Sequence, residues 1–296
     1  MKRIVSITAL LMIFIFSGIF EQLKAQNSGI LEVRYLPPGE ELDVVKEYNL
    51  AILELALEKT EEEFGAYSII ESERDLSQQE ALKSLRESSM LQVVPTMTDR
   101  YREQVFLPVK IPLYKGLFGL RLLMIQEQTG TNLADADSQE ELEKYVMGQG
   151  SDWPDTQILK ANKFEVNEYD SKSELFAGLD QSEYDLFPRS IIEIWSELEQ
   201  IEEKGLTYHK NAYLYYPTAI YFFTQKNREG LALSKRLEAG LNAAIADGSF
   251  DEVFNKYLSS FLNRVDLDSM EPVKLKNPLL PDRAPIDKEE YWYINM

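Results

Sequence analysis

The chain has 296 residues, with 50 acidic against 31 basic side chains and a formal charge of −19. A negative field of that size opposes nucleic acid and anionic lipid, so the expected partners are small molecules or proteins. There is no cysteine and one histidine, His209, which removes thiolate catalysis, disulfides and Cys-based zinc sites, leaves no His-rich metal site and weighs against a Ser-His-Asp triad; no cofactor is expected.

In chain order, Lys2-Arg3 precede an apolar run from Ile4 to Phe20, broken only by Ser6, Thr8, Ser17 and Gly18, and the polar EQLKAQ follows. This is the layout of a secretory signal peptide over residues 1–25, too short to span a bilayer, with cleavage after Ala25 and release into the periplasm. An uncleaved N-terminal anchor is the alternative, because Leu23 is larger than the ideal residue near a cleavage site.

ILEVRYL (30–36) reads as a strand and PPGEELD as a turn opening the helix YNLAILELALEKTEEE. AYSIIES returns as a strand, LSQQEALKSLRESS is a helix with a capping-box spacing between Ser77 and Glu80, and LQVV (91–94) is the third strand. This β-α-β-α-β order implies a sheet covered by helices, with ligands in loops after the strands. VFLPVKIPLYKGLFGLRLLMI is interrupted by Pro108, Pro112 and Gly116, so it reads as two extended segments carrying the chain into a second lobe. There a helix SQEELEKYV, a loop GQGSDWPDT, a helix TQILKANK, a strand FEVNEY, a helix SKSELFAGL and a strand YDLFPRS follow. TAIYFFTQ is then the strand of a return, KNREG a turn, LALSKRLEAGLNAAIADG and DEVFNKYLSSFL helices, and the Pro-rich end extended.

The resulting expectation is an α/β, two-lobed architecture, each lobe a sheet flanked by helices, joined by two crossing segments. First-lobe residues are 26–118 and 215–265, second-lobe residues 119–214, and 266–296 form an extended tail.

Three stretches resemble the type 2 periplasmic solute-binding proteins, particularly the branch serving amino-acid ABC transporters. TMTDRYREQVFLPVKIPLYKG (96–116) resembles the family's Thr-x-x-Arg segment and the strand into the hinge. GQGSDWPDTQIL, with FEVNEYDSKSELFAGLDQSEYDLFP, is similar to the lobe-two pattern of Gly-rich loop, helix, strand, helix and strand. AIYFFTQKNREGLALSKRLEAGLNAAIADGSFDEVFNKYL is similar to the ending, with Lys-Asn after a strand and Asp-Gly-Ser-Phe between two helices. The resemblance implies a periplasmic-binding-protein-like fold that closes on a solute. Pro188-Arg189-Ser190 stand where amino-acid binders carry the acidic residue that holds the ligand's ammonium group, which moves the expected ligand toward a carboxylate-bearing or otherwise anionic solute.

Arg102 is the first candidate anchor, because a planar guanidinium gives a carboxylate two charge-assisted hydrogen bonds. The competing reading pairs Arg102 and Arg100 with Asp99 and Glu103 on the surface. Thr96 and Thr98 could donate beside it or serve turn chemistry. Gly150, Ser151 and Asp152 precede a helix and could form an anion-binding nest, or Asp152 could cap that helix with Pro154 in its first turn. Trp153 is a stacking plane or core, and Tyr114, before Gly116, could line the cleft floor. Arg189, with Glu193 one turn on, could face Arg102 across the cleft or form a local surface ion pair.

The functional expectation is a monomeric binding protein, not an enzyme, that captures a small polar or anionic solute for a membrane permease or a sensor. Two alternatives stand beside it. One is an enzyme on the same fold, since cyclohexadienyl dehydratases resemble these binders. The other is an orphan exported interaction protein that has lost its ligand.

Overall fold

The computed structural model describes residues 29–35, 43–72, 76–87, 90–128, 133, 136–200 and 205–293. The leader expected over residues 1–25 lies outside them.

The first sheet is assembled from both ends of the chain. Its strands are β1 (Leu31–Tyr35), β2 (Tyr67–Glu71), β3 (Val93–Met97), β4 (Leu107–Val109) and β11 (Ile220–Thr224), in the order β2-β1-β3-β11-β4. β1 runs parallel to β2 and β3, whereas β11 is antiparallel to β3 and β4. Every residue of β3 and β11 is buried, as strands covered on both faces must be.

Helix α1 (Asp43–Glu58), the single turn α2 (Glu61–Phe64) and helix α3 (Gln78–Glu87) intervene between the first strands, and α4 (Arg100–Val105) follows β3. The capping box read at the start of α3 forms: Ser77 N–H donates to Glu80 at 2.9 Å and Glu80 N–H to the Ser77 hydroxyl at 3.3 Å.

The second sheet contains β5 (Leu120–Gln126), β8 (Phe187–Ser190), β9 (Leu206–Tyr208), β10 (Ala212–Tyr215) and β12 (Glu271–Lys274), ordered β12-β10-β5-β8 with β9 also on β5. β5 is fully buried, and its alternation divides the core. Leu122 and Met124 join the large apolar cluster that continues into the first lobe; Leu123 and Ile125 face a second cluster containing Met147, Ile158 and Leu214. Arg121 shares the face of Leu123 and Ile125.

A two-stranded parallel sheet, β6 (Val146–Gly150) with β7 (Glu165–Tyr169), completes the second lobe with helices α5 (Gln139–Leu142), α6 (Pro154–Ala161), α7 (Lys172–Asp180) and α8 (Ile194–Gln200). The sequence reading placed a helix through Val146 and a loop from Gly148. Instead the helix stops at Leu142 and β6 begins at Val146. Gly148 lies inside the strand because a Cβ there would sit 2.2 Å from the Tyr184 ring; the glycine marks close packing, not a turn.

The chain passes from the first sheet to the second between β4 and β5, and back between β10 and β11. The crossings touch where Tyr216 N–H donates to the Gly119 carbonyl at 3.1 Å. After the return come α9 (Arg228–Asp247), capped by Asn227, and α10 (Ser249–Leu262). KNREG is thus the cap and first turn of α9, not a separate turn. The tail is not simply extended: β12 adds to the second sheet in parallel with β10.

Gly240 of α9 lies against α1, where a Cβ would stand 1.9 Å from the Ala56 carbonyl oxygen. A backbone neighbour cannot move aside as a side chain can. Alanine gains about 1 kcal/mol of helix propensity over glycine, but overpacking costs about 1–3 kcal/mol and a backbone clash lies at the upper end. Gly240→Ala is expected to destabilise the protein by about 1–2 kcal/mol in urea denaturation.

Candidate functional site

The loops after β3, β6, β7 and β8 converge on a cleft of about 180 Å³ between the lobes. Thr96 and Met97 line it from the first lobe; Gly150, Asp152 to Asp155, Tyr169 to Lys172 and Arg189 line it from the second. Carboxyl ends of strands are where ligands bind in open α/β sheets.

Its floor is Arg121, a lone charge in the apolar run LFGLRLLMI. The side chain is buried, and its Nε donates to the Tyr216 hydroxyl at 2.8 Å. Nη2 stands 2.5 Å from Asp155 and Nη1 3.3 Å from Glu193. Asp155 occupies the first turn of α6, where the helix dipole favours a negative charge, and the Tyr216 hydroxyl donates to the same carboxylate. Burial pulls the Arg121 guanidinium down, but Asp155, Tyr216 and Glu193 outweigh it and the group is held above its ordinary value. Tyr216 is pushed well above the usual phenol range, burial being the largest cause.

Arg189 continues the network. It donates to Glu197 through Nε at 2.8 Å and Nη2 at 2.7 Å, and to Glu193 at 2.9 Å. Its guanidinium also lies 5.0 Å from the Trp153 ring centroid and 5.1 Å from that of Phe187, a cation–π arrangement. Lys172 reaches Glu197 at 2.9 Å. Burial would push the Glu197 carboxyl up, yet Arg189 and Lys172 hold it below the usual carboxylate range.

The candidates chosen from sequence fall into three groups. Thr96, Gly150, Asp152, Trp153, Arg189 and Glu193 line the cleft. Arg102, Thr98 and Ser151 stand beside it. Arg102 sits behind Thr96, donating to the Thr96 hydroxyl at 2.9 Å, the Met97 carbonyl at 2.7 Å and Gln78 at 2.8 Å, with Nε 3.1 Å from Asp99. Burial pulls this guanidinium below its ordinary value despite Asp99, Asp152 and Asp155. Thr98 donates to Glu103 at 2.9 Å and Ser151 to Asp170 at 2.8 Å. Tyr114 is away from the cleft, packed on Tyr48 and donating to Asn49 at 2.8 Å.

Asp152 makes no capping bond; Trp153 is the N-cap residue of α6. The Arg189–Glu193 pair forms, with Arg189 buried and Glu193 half-buried. His209 is buried outside the cleft against the Ala136 carbonyl, 2.8 Å away.

Sequence reasoning missed Arg121, Asp155, Lys172 and Glu197, and placed Tyr216 only in the return crossing. For Arg121 a signal was present: a single charge within a buried strand has to find a partner. No comparable signal marks Glu197, which is one of two acids in α8.

No family model matches the chain, and no curated protein matches it. Solved structures do. An ancestral arginine-binding protein bound to arginine superposes with a TM-score of 0.56 at 14% identity, over 78% of this chain and 98% of its own. An amino acid ABC transporter substrate-binding protein from Streptococcus pneumoniae bound to L-arginine gives 0.55 at 14%, over 81% and 97%. The GluR0 ligand-binding core complex with L-glutamate gives 0.54 at 12%, over 78% and 99%. The chain therefore has the two-lobed fold of the type 2 periplasmic binding proteins, in a form far diverged in sequence from these structures.

Breaking a buried ion pair strands its partner and costs about 3–5 kcal/mol. Glu197→Gln is expected to lose that much stability at neutral pH, read from urea midpoints. Because the folded Glu197 carboxyl is held below its ordinary value, its contribution is fully present above the unfolded value. It disappears as pH falls through the lower folded value. The difference between wild type and Glu197→Gln should therefore shrink on acidification below about pH 4.

Proposed function

We propose that the chain is an exported, monomeric solute-binding protein whose lobes close on a small polar solute that carries a positively charged group. The observation that carries this reading is the charge balance of the cleft wall. Arg102, Arg121, Arg189 and Lys172 are answered by Asp99, Asp155, Glu193 and Glu197, which leaves Asp152 and Asp170 as surplus negative charge at the rim.

The anion expected to bridge Arg102 and Arg189 would have to displace carboxylates already bonded to both. A cationic solute meets Asp152 and Asp170 without displacing anything, and Tyr169 adds an aromatic ring that attracts a cation. A zwitterion remains compatible, its carboxylate directed to the Arg121 floor. Two of the matching solved proteins are bound to arginine and one to glutamate, so the fold accommodates either sign and the wall decides.

Release into the periplasm and delivery to a permease or a sensor belong to this reading. Among the described residues no helix is long and apolar enough to cross a membrane. An enzyme of the dehydratase kind needs a free acid in the cleft to protonate a leaving hydroxyl; the cleft carboxylates Asp155 and Glu193 are instead ion-paired to Arg121 and Arg189.

Isothermal titration of the mature protein with arginine, glutamine and glutamate tests the sign. The expected order is arginine tightest and glutamate weakest. Asp152→Asn should weaken the cationic ligand by about 3- to 10-fold, the range of a partly exposed charge-assisted bond. Tight binding confined to dicarboxylates would sink the reading. If no solute in a metabolite library raises the melting temperature, the protein has kept the fold without a ligand.

A further inference from the structure

The segment after α10 was read from the sequence as a tail, and the solute-binding reading makes no use of it. In the structure it is attached to both lobes. Leaving α10, Arg264 pairs with Glu199 and lies 5.4 Å from the Trp195 ring, both on α8 of the second lobe. β12 then pairs with β10 from Glu271 to Lys274, and Leu275 N–H donates to the Tyr215 carbonyl at 2.8 Å. Asn162, at the end of α6, holds Lys276 reciprocally: its amide donates to the Lys276 carbonyl at 2.7 Å and accepts from Lys276 N–H at 3.0 Å. Up to this point the tail is part of the second lobe.

The next residues belong to the return crossing and the first lobe. Asn277 donates to the Pro217 carbonyl at 2.9 Å. Arg100 of α4 donates to the Pro278 carbonyl at 3.0 Å and pairs with Asp282 at 3.0 Å. Residues 291–293 lie against the hinge. Tyr291 donates to Asn242 of α9 at 3.2 Å, and Tyr293 stacks on Phe254 of α10 at 6.1 Å. Tyr293 N–H donates to the Lys115 carbonyl at 2.8 Å.

Lys115 and Gly116 are the two positive-φ residues of the first crossing, at 47° and 80°. The Trp292 ring covers Gly116 so closely that a Cβ there would lie 2.7 Å from it, and Trp292 Nε1 is fixed by the Pro285 carbonyl at 2.8 Å.

We propose that residues 271–293 form a third tether between the lobes, a clamp that narrows the range of interlobe angles. The geometry requires two contacts to give way when the lobes part. Lys276, fixed to the second lobe, and Pro278, held by Arg100 of the first, are separated by at most about 7 Å of chain, so a wide opening must break the Arg100 bonds. A change in backbone angle at Gly116 must displace Trp292. From Pro278 to Tyr291 the strap has slack, so its length sets no limit. The restraint lies in these contacts. Arg100 and Asp282 are 58% and 90% exposed, which makes the first contact weak and salt-sensitive, and the Trp292 seat the stronger one.

The absence of cysteine allows Gln79→Cys and Gln181→Cys to carry a spin-label pair, one exposed site on each lobe. Double electron–electron resonance on the otherwise intact, ligand-free protein should show one narrow distance distribution. Arg100→Ala is expected to raise the share of longer distances about two- to fivefold, an effect reproduced in the parent by high salt and reversed by the exchange R100D with D282R. Trp292→Ala should broaden the distribution further, and Trp292→Phe should not. An unchanged distribution in R100A, with W292A either folded and equally narrow or failing to fold, would overturn the proposal. No solute is added, so the outcome is independent of whether the cleft binds one.

Discussion

A guanidinium buried in the middle of a β-strand has to be met by carboxylates, and Arg121 sets that condition for the second lobe. An unpaired charge at this depth would cost several kcal/mol. Asp155 must therefore sit at the start of α6, Glu193 must follow β8, and Tyr216 must turn its hydroxyl inward from the return crossing. Glu193 in turn engages Arg189, which requires Glu197, which draws in Lys172. One arginine thus fixes the relative placement of β5, α6, β8, α8 and the return crossing. The network does not by itself argue for high stability, since a packed apolar cluster of the same volume could do as well. What it supplies is a defined arrangement of polar groups in the wall of the cleft.

The same network explains how a cleft rich in arginine can be electrostatically poor for anions. Arg189 presents its fork inward to Glu197, and its flat face lies against Trp153. A side chain already using its two best donors on a buried acid has little to offer an incoming carboxylate. Sign preference in the proposed function then comes from what is unanswered at the rim, not from what is most conspicuous in the wall.

Much of the architecture was readable because it is written in local patterns. β3 and α3 follow from an apolar run and a capping box, α9 from helical spacing closed by Gly248, and the two crossings from prolines that forbid one long helix. β6 was hidden because its glycines resemble turn residues, whereas Gly148 admits the Tyr184 ring and Gly150 the Trp153 ring. β12 was hidden because EPVK has no strand signal of its own; its order comes from an edge that β10 provides. At the site, a chemical type such as arginine or tryptophan could be picked out from sequence, but not its partners. Arg102 and Arg189 looked equivalent until the packing showed one behind Thr96 and the other against Trp153. Asp155 and Glu197 acquire meaning only through residues 34 positions upstream and eight positions upstream respectively.

The order β2-β1-β3-β11-β4 also constrains how the protein can be made. β4 has no partner in the first sheet except β11, and β11 lies more than a hundred residues further along the chain. The first-lobe sheet cannot be completed until the whole of the second lobe's continuous stretch has been synthesised. Until then β3 keeps one edge open. Such long-range pairing is slow, and an exposed edge of this kind invites wrong partners. The pairing of β11 with β3 and β4 therefore waits on the inserted stretch, so a lesion there that keeps the two halves of the outer sheet apart would be felt first as aggregation of the first lobe.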